Sequence, residues 1–218
     1  VSLPKLSECI INGGVIAVPT DTIYGIAAHY KNADAIKRIY KIKGRDFSKP
    51  LSIAVSKISS ISEICTFPKE FDKVFGALYP GQVTLILRKN AKLSHEIAAL
   101  HPDKIGIRIP KSDFLLNLIN ECAKASNSDD FPIVLTSANK TSLKSPVCVD
   151  DFEDIHDELD YVIDEGITSN DNQGSTIIDL SNLDSNPHEP RTFSVVRNGS
   201  AYKHTISILE KYGFRISE

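Results

Sequence analysis

Within Lys41–Pro50, KIKGRDFSKP, four cations stand against one carboxylate, in a chain whose formal net charge is −3. Other donors lie far along the chain: Arg108 in IGIRIP, Arg197 in VVRNGS, Thr22 in PTDT, Ser137 and Asn139 in TSAN, Ser145 in KSP and Ser175 in GST. A guanidinium fork meets phosphate or carboxylate oxygens at two points, whereas lysine acts as a mobile point charge. If Lys43, Arg45, Lys49, Arg108 and Arg197 converge with these hydroxyl and amide groups, they form a site for a polyanion, and a nucleoside triphosphate suits such a set. Nucleotidyl transfer rests mainly on positioning and charge stabilisation, so no conspicuous general base is required.

Taken singly, a lysine in KIKGRDFSKP also satisfies the dipole of a helix C-terminus without any ligand. Lys43 and Arg45 flank the helix-ending Gly44, and Lys49-Pro50 immediately precedes an apolar strand, which that simpler reading does not explain. Lys41, one turn earlier, reads as solvent-facing charge. The sequence has no nucleophile elbow, no Walker lysine loop, no G-x-G-x-x-G and no zinc signature. The carboxylate-rich DDFEDIHDELD (150–160) spreads its acids all round a helix rather than on one face, which describes a solvated helix and not a metal site.

These groups need a scaffold, and the hydrophobic periodicity supplies one. Leu6, Ile10 and Ile11 mark a short helix stopped by Gly13-Gly14; VIAVPT and GIAAHY read as strands. A helix from Asn32 ends at Gly44, and LSIAV returns to strand. Helical spacing resumes over 59–64 and 69–78 before Pro80-Gly81 leads into TLILRK, and IGIRIP is the next strand. Ser112 caps a helix with Phe114, Leu115, Leu118, Ile119 and Cys122 on its apolar face, followed by the SNSDD loop and the strand IVLTSAN. YVID, STIIDL and TFSVVR are strands, SNLDSNPHEP is a loop, and a last helix runs over 205–212. Interleaved strands and helices without repeats or a linker indicate one mixed α/β domain over 1–218. The donor-rich segments sit where strands end, and ligands of open α/β sheets bind outside the carboxyl ends of strands.

An apolar fraction of 41% over 218 residues is enough for one sizeable core. The acidic balance argues against an extended cationic surface of the kind that grips duplexes non-specifically. Cys9, Cys65, Cys122 and Cys148 are widely spaced, which reads as reduced thiols in a reducing compartment. No apolar run approaches a membrane span. Cytoplasm is the expected location, with the mitochondrion as second compartment because the chain starts at Val1.

GGVIAVPTDTIYGIAA, the K-x-R-x-x-x-x-P pattern within KGRDFSKPLSIAV, PGQVTLIL, IGIRIP, TSAN, GSTIIDL and VVRNG occur in an order that resembles the YrdC-like threonylcarbamoyl-AMP synthase family over about residues 5–212. The resemblance implies a twisted mixed α/β sheet with flanking helices and a concave electropositive cleft, without the second C-terminal domain of longer relatives. It implies an enzyme that joins L-threonine, bicarbonate and ATP, with Mg²⁺ accompanying the ATP. Threonylcarbamoyl-adenylate and pyrophosphate are the products, the former for modification of the adenosine beside the tRNA anticodon. Handover would be to a separate transferase complex, with transient or no direct tRNA binding. Carried over residue by residue, Thr22, Arg108 and Ser175 serve the threonine; Lys43 and Arg45 are catalytic; and Arg45, Lys49, Ser137, Asn139, Ser145 and Arg197 hold ATP. Ala54 stands where some members carry a histidine that contacts threonine.

Two other readings use the same residues. A basic cleft would suit an RNA-binding module, against which the net acidity and the lack of aromatic runs weigh. A carbamoyl-adenylate-forming domain of the carbamoyltransferase type would use ATP as well, but none of the segments that accompany such domains occurs in this sequence.

Overall fold

The computed structural model describes residues 1–90, 103–141, 143–168, 171–183 and 191–217. Proline in the first turn opens α1 (Leu3–Ile11), and Gly13, at φ +89°, turns the chain into β1 (Ile16–Val18). β2 (Gly25–His29) follows. Asn32 then starts α2 (Ala33–Lys43) by accepting the Ala35 N–H, and Gly44 ends it in the left-handed region at φ 55°. Next come β3 (Ser52–Ala54), α3 (Ser59–Ile64), β4 (Cys65–Thr66), a 3-10 turn at Lys69–Phe71 and α4 (Asp72–Leu78). β5 (Val83–Lys89) and β6 (Lys104–Arg108) lead to α5 (Asp113–Ala125), capped by the Ser112 hydroxyl on the Leu115 N–H. β7 (Ile133–Ser137), β8 (Tyr161–Val162), β9 (Thr176–Asp179), β10 (Thr192–Arg197), α6 (Tyr202–Lys211) and β11 (Arg215–Ile216) complete the chain. The last helix starts three residues before the expected 205. Of the expected SNLDSNPHEP loop, positions 184–190 lie outside the described residues.

The strands form one mixed open sheet in the order β11-β10-β9-β5-β6-β3-β7-β2-β1-β8, with β4 beside β5. β3 pairs parallel to β6, and β5 parallel to β9; β5 with β6, β3 with β7 and β2 with β7 are antiparallel. Because side chains alternate across a strand, each strand feeds both faces. Val83, Leu85, Leu87, Ile105, Ile107, Ile53 and Val134 pack into one core with α2, α3, α4 and α6. On the other face Ile133, Leu135, Ala54 and Ala27 meet the apolar stripes of α1 and α5. These two helices cover only the β1–β2–β7–β3 half. The uncovered part of that face carries Ser52, Thr84, Arg108 and Ser137, and this polar row in the middle of a sheet is where the site forms.

The carboxylate-rich 150–160 segment differs from the expected solvated helix. It is a 3-10 stretch, Val149–Glu158, kinked at Phe152, and it buries Phe152 and Ile155 completely. Two of its aspartates have structural tasks. Asp151 accepts the N–H groups of Val147 at 2.9 Å and Cys148 at 3.2 Å, and Asp154 pairs with Lys140 at 2.8 Å. Just beyond it, Asp160 pairs with Arg38 at 2.7 Å. Among the described residues no three His, Cys, Asp or Glu side chains gather to hold a metal.

The Val147 N–H, aided by that of Cys148 and the Lys144 ammonium, holds the Asp151 carboxyl down to about 2. A depressed carboxylate stabilises the fold above its ordinary pKa, so this contribution is lost as pH falls from about 4 towards about 2. Asp151→Ala is expected to cost about 1 kcal/mol at neutral pH, read from the urea midpoint, and nothing in strong acid.

All four cysteines are free thiols, Cys65 and Cys122 buried. Burial pushes the Cys122 thiol up to about 12, which leaves it unreactive. Among the described residues no helix is long and apolar enough to cross a membrane.

Candidate active site

The turn between β1 and β2 is tied by its own hydroxyl. Thr20 Oγ1 donates to the Ile23 carbonyl at 2.7 Å and accepts the Thr22 N–H at 3.1 Å, so PTDT folds back and buries Thr22 completely. Arg108, at the end of β6, reaches this turn. Its Nη2 donates to Asp21 Oδ1 and, at 3.0 Å, to Thr22 Oγ1. Asp21 is braced in turn: its second oxygen accepts the Lys111 N–H at 3.0 Å, and its side chain is 6% exposed. Among the described residues Arg108 Nε is buried and has no partner. An unpaired buried N–H is costly, and Arg108 carries that cost at the cavity wall.

The facing wall comes from β5, β9 and β10. Ser175 Oγ lies 2.8 Å from Thr84 Oγ1, and Arg197 clamps the same serine, Nε to its carbonyl at 2.8 Å and Nη2 to its hydroxyl at 3.2 Å. The guanidinium lies against Gly174, where a Cβ would sit 2.8 Å from Nη2, so only glycine leaves it room. Arg197 has no carboxylate partner among the described residues, and burial followed by the charge of Arg108 lowers its pKa. The floor follows from register: Ser52 pairs with Gly106, whose missing side chain accommodates the Ser52 hydroxyl.

Arg45 closes the mouth. It follows the Gly44 turn, and its Nε and Nη2 hold the carbonyls of Lys49 at 3.2 Å and Pro50 at 3.0 Å, curling residues 45–50 into a loop on which Phe47 stacks over Tyr40. The enclosed cavity is about 160 Å³. That is below the roughly 300–1,000 Å³ of drug-sized ligand pockets and matches the size of a compact polar head group.

Of the residues expected from the sequence, Thr22, Arg45, Arg108, Ser137, Ser175 and Arg197 all line this one cavity. Lys43, Lys49, Asn139 and Ser145 do not. Lys43 is 1% exposed and turned away behind the wall; its ammonium is taken up by the Ser137 and Asn139 carbonyls, so the expected direct grip on phosphate is not available to it in this arrangement. Asn139 Nδ2 is committed to the carbonyls of Leu143 at 2.9 Å and Lys144 at 3.0 Å. Lys49 is exposed on the mouth loop, Lys41 is exposed as expected, and Ala54 is buried without facing the cavity.

Three contributors were not anticipated: Asp21 behind Arg108, and Ser52 and Thr84 in the floor. The signal for the last two was a lone hydroxyl inside an otherwise apolar strand, LSIAV and VTLIL. The expectation that the site lies outside strand carboxyl ends holds for β6, β7 and β10. The starts of β2, β3, β5 and β9 contribute as well, because antiparallel neighbours bring starts and ends to the same edge.

The structure is an open mixed-sheet α/β protein that gathers Arg45, Arg108 and Arg197 with buried hydroxyls around a small cavity. A family model named Sua5/YciO/YrdC and described as "Telomere recombination" matches residues 8–199, and the chain belongs to this family. The threonylcarbamoyl-AMP synthase of Rattus norvegicus is 34% identical over 214 residues, covering 94% of this chain and 70% of the relative. The structure of Pyrococcus abyssi Sua5 complexed with L-threonine superposes with a TM-score of 0.81 at 25% identity, covering 99% of this chain and 58% of that one. Escherichia coli YciO, at 22% identity and a TM-score of 0.75, shares the fold over 91% of this chain and 89% of its own.

Proposed function

We propose that this chain is a threonylcarbamoyl-AMP synthase: it joins L-threonine, bicarbonate and ATP into threonylcarbamoyl-adenylate and pyrophosphate. The observation that carries the reading is the Arg108 guanidinium, held by Asp21 and Thr22 at the wall of a cavity of head-group size. Asp21 and Thr22 take both Nη2 N–H groups, so a ligand carboxylate meets this guanidinium through its remaining N–H groups, in a charge-assisted contact. Threonine seated there has Thr22, Thr84 and Ser175 hydroxyls around its polar atoms, while Arg45, Arg197 and Ser137 remain for the phosphates. Lys49, Asn139 and Ser145, on the segments around the mouth, serve the outer part of the nucleotide.

The threonine amine, as its free base, condenses with bicarbonate to give an N-carboxylate and water. A carboxylate oxygen attacks the α-phosphorus, the bond from that phosphorus to the bridging oxygen breaks, and pyrophosphate leaves. Negative charge shifts onto phosphate oxygens as this happens, and cations fixed beforehand stabilise the transition state more than the ground state. Magnesium enters with the ATP as part of the substrate. The product supplies the threonylcarbamoyl group for tRNA modification, passed to a separate transferase.

Pyrophosphate release with ATP, magnesium and bicarbonate should depend on L-threonine. Serine should support it less well, by about 10- to 200-fold in kcat/KM, because one methyl discriminates by about 1–3 kcal/mol. Pyrophosphate release indifferent to the amino acid would overturn the proposal.

A further inference from the structure

Lys43 is the last residue of α2, and Gly44 alone separates it from Arg45, which faces the cavity. Its ammonium donates to the Ser137 carbonyl and, at 2.6 Å, to the Asn139 carbonyl, with Ser137 Oγ at 3.3 Å and Asn139 Oδ1 at 3.5 Å. The main chain ties the same two segments in the other direction: the Thr141 N–H and hydroxyl both donate to the Lys43 carbonyl, at 2.9 and 3.1 Å. The end of α2 and the exit of β7 are thus stapled together, and each presents one group to the cavity, Arg45 and Ser137.

We propose that Lys43 is a positioning residue, not a phosphate ligand: through this staple it places Arg45 and Ser137 and sets the direction in which the Ser137 hydroxyl donates. The proposal rests on the adenylate-forming reading of the cavity. The ammonium has three N–H groups. Two are committed to carbonyls, and the third has Ser137 Oγ as its nearest remaining acceptor. A hydroxyl that accepts from Lys43 turns its own hydrogen elsewhere, towards the cavity, where it meets an anionic oxygen. A neutral amine keeps the two carbonyl bonds but offers a lone pair to that hydroxyl, which then turns its hydrogen away from the ligand.

The surroundings place this switch in an accessible range. Burial, then the charge of Arg45, lowers the Lys43 ammonium to about 7. The exit of β7 brings only the neutral Ser137, Asn139 and Thr141 against it; Lys140 on that segment is engaged with Asp154, and Tyr40, one turn back on α2, spends its hydroxyl on the Lys49 carbonyl. No carboxylate among the described residues pairs with Lys43, so nothing offsets the burial. The protonated form, and with it the donor from Ser137, is present below the folded pKa and lost as pH rises through it.

The test compares wild type with Lys43→Met, Lys43→Arg, Ser137→Ala and Arg45→Ala by three readouts. These are kcat/KM for ATP from about pH 6 to about pH 9, which reports groups of the free enzyme, affinity for inorganic tripolyphosphate, and amide hydrogen exchange of residues 137–141 without ligand. Wild type should lose activity above about pH 7. Lys43→Met should be about tenfold slower at the acid end, lack the fall with pH, and exchange the Thr141 amide about tenfold faster. Lys43→Arg, charged throughout, should not restore the pH dependence, and Ser137→Ala should abolish it. The proposal is overturned if Lys43→Met leaves exchange over 137–141 unchanged and loses tripolyphosphate affinity as Arg45→Ala does. It is also overturned if Lys43→Met keeps the wild-type pH profile, which would leave a purely structural lysine. Wild type without threonine-dependent turnover at any pH refutes the adenylate reading instead, while the exchange comparison, which needs no substrate, still decides the staple.

Discussion

Arg108→Ala should lower kcat/KM for threonine by about a hundredfold or more, measured by pyrophosphate release, and should destabilise the protein as well. The activity loss follows from removing a cation held rigidly at the cavity wall by Asp21 and Thr22, a loss comparable to that of a fixed oxyanion donor. The stability loss has a separate origin. Arg108 and Asp21 are a buried pair with side chains 9% and 6% exposed, so alanine leaves a carboxylate in a dry site with one backbone N–H. Breaking such a pair from one side costs about 3–5 kcal/mol. Adding Asp21→Asn to Arg108→Ala removes the orphaned charge and should recover most of the stability without recovering activity. Arg108→Lys should remain impaired, because a single ammonium cannot serve Asp21, Thr22 and a ligand carboxylate in the fork geometry.

Arg197→Ala should separate the two effects. Its guanidinium has no carboxylate partner among the described residues; the residue is exposed at the end of β10, its guanidinium holds Ser175, and it lies within the repulsive field of Arg108. Removing it relieves that repulsion and forfeits two hydrogen bonds, terms of similar size and opposite sign, so the melting temperature should change little. Activity should nevertheless fall by about a hundredfold, with the loss in kcat/KM for ATP, since in the proposed reaction Arg197 is, with Arg45, a cation that meets phosphate oxygens. A cation kept in a pocket at an electrostatic cost is what a site for an anionic transition state requires, and a thermal melt beside a kinetic assay displays that cost directly.

The elements were legible where a residue has one local task. Asn32, Gly44 and Ser112 cap α2 and α5 as their residue types require, and TLILRK, after the Pro80-Gly81 turn, and IGIRIP are strands as expected. The site was legible where a donor sits at a strand end or in the short segment beside one, as Thr22, Arg45, Arg108, Ser137, Ser175 and Arg197 do, and these six meet in one cavity. It was opaque where direction decides. At the last turn of α2 nothing local says whether Lys43 points to solvent, to ligand or under the 137–141 segment; the tertiary contact with Ser137 and Asn139 decides it. Thr84 and Ser52 were hidden for a related reason, since strand parity shows that a hydroxyl lies opposite the core but not that α1 and α5 leave that half of the face open. The 150–160 segment was legible only in part through composition: most of its acids face solvent, but it is a 3-10 stretch anchored by the buried Phe152 and Ile155, with Asp151 spent on the backbone.

The most direct test of the account is to incubate the protein with ATP, magnesium, L-threonine and ¹³C-labelled bicarbonate and analyse the products at once by mass spectrometry. The account predicts a labelled adduct of threonine, one carbonyl carbon and AMP, formed in equal amount with pyrophosphate and absent without threonine. Pyrophosphate appearing with AMP alone, or an adenylate that carries no label, would contradict it.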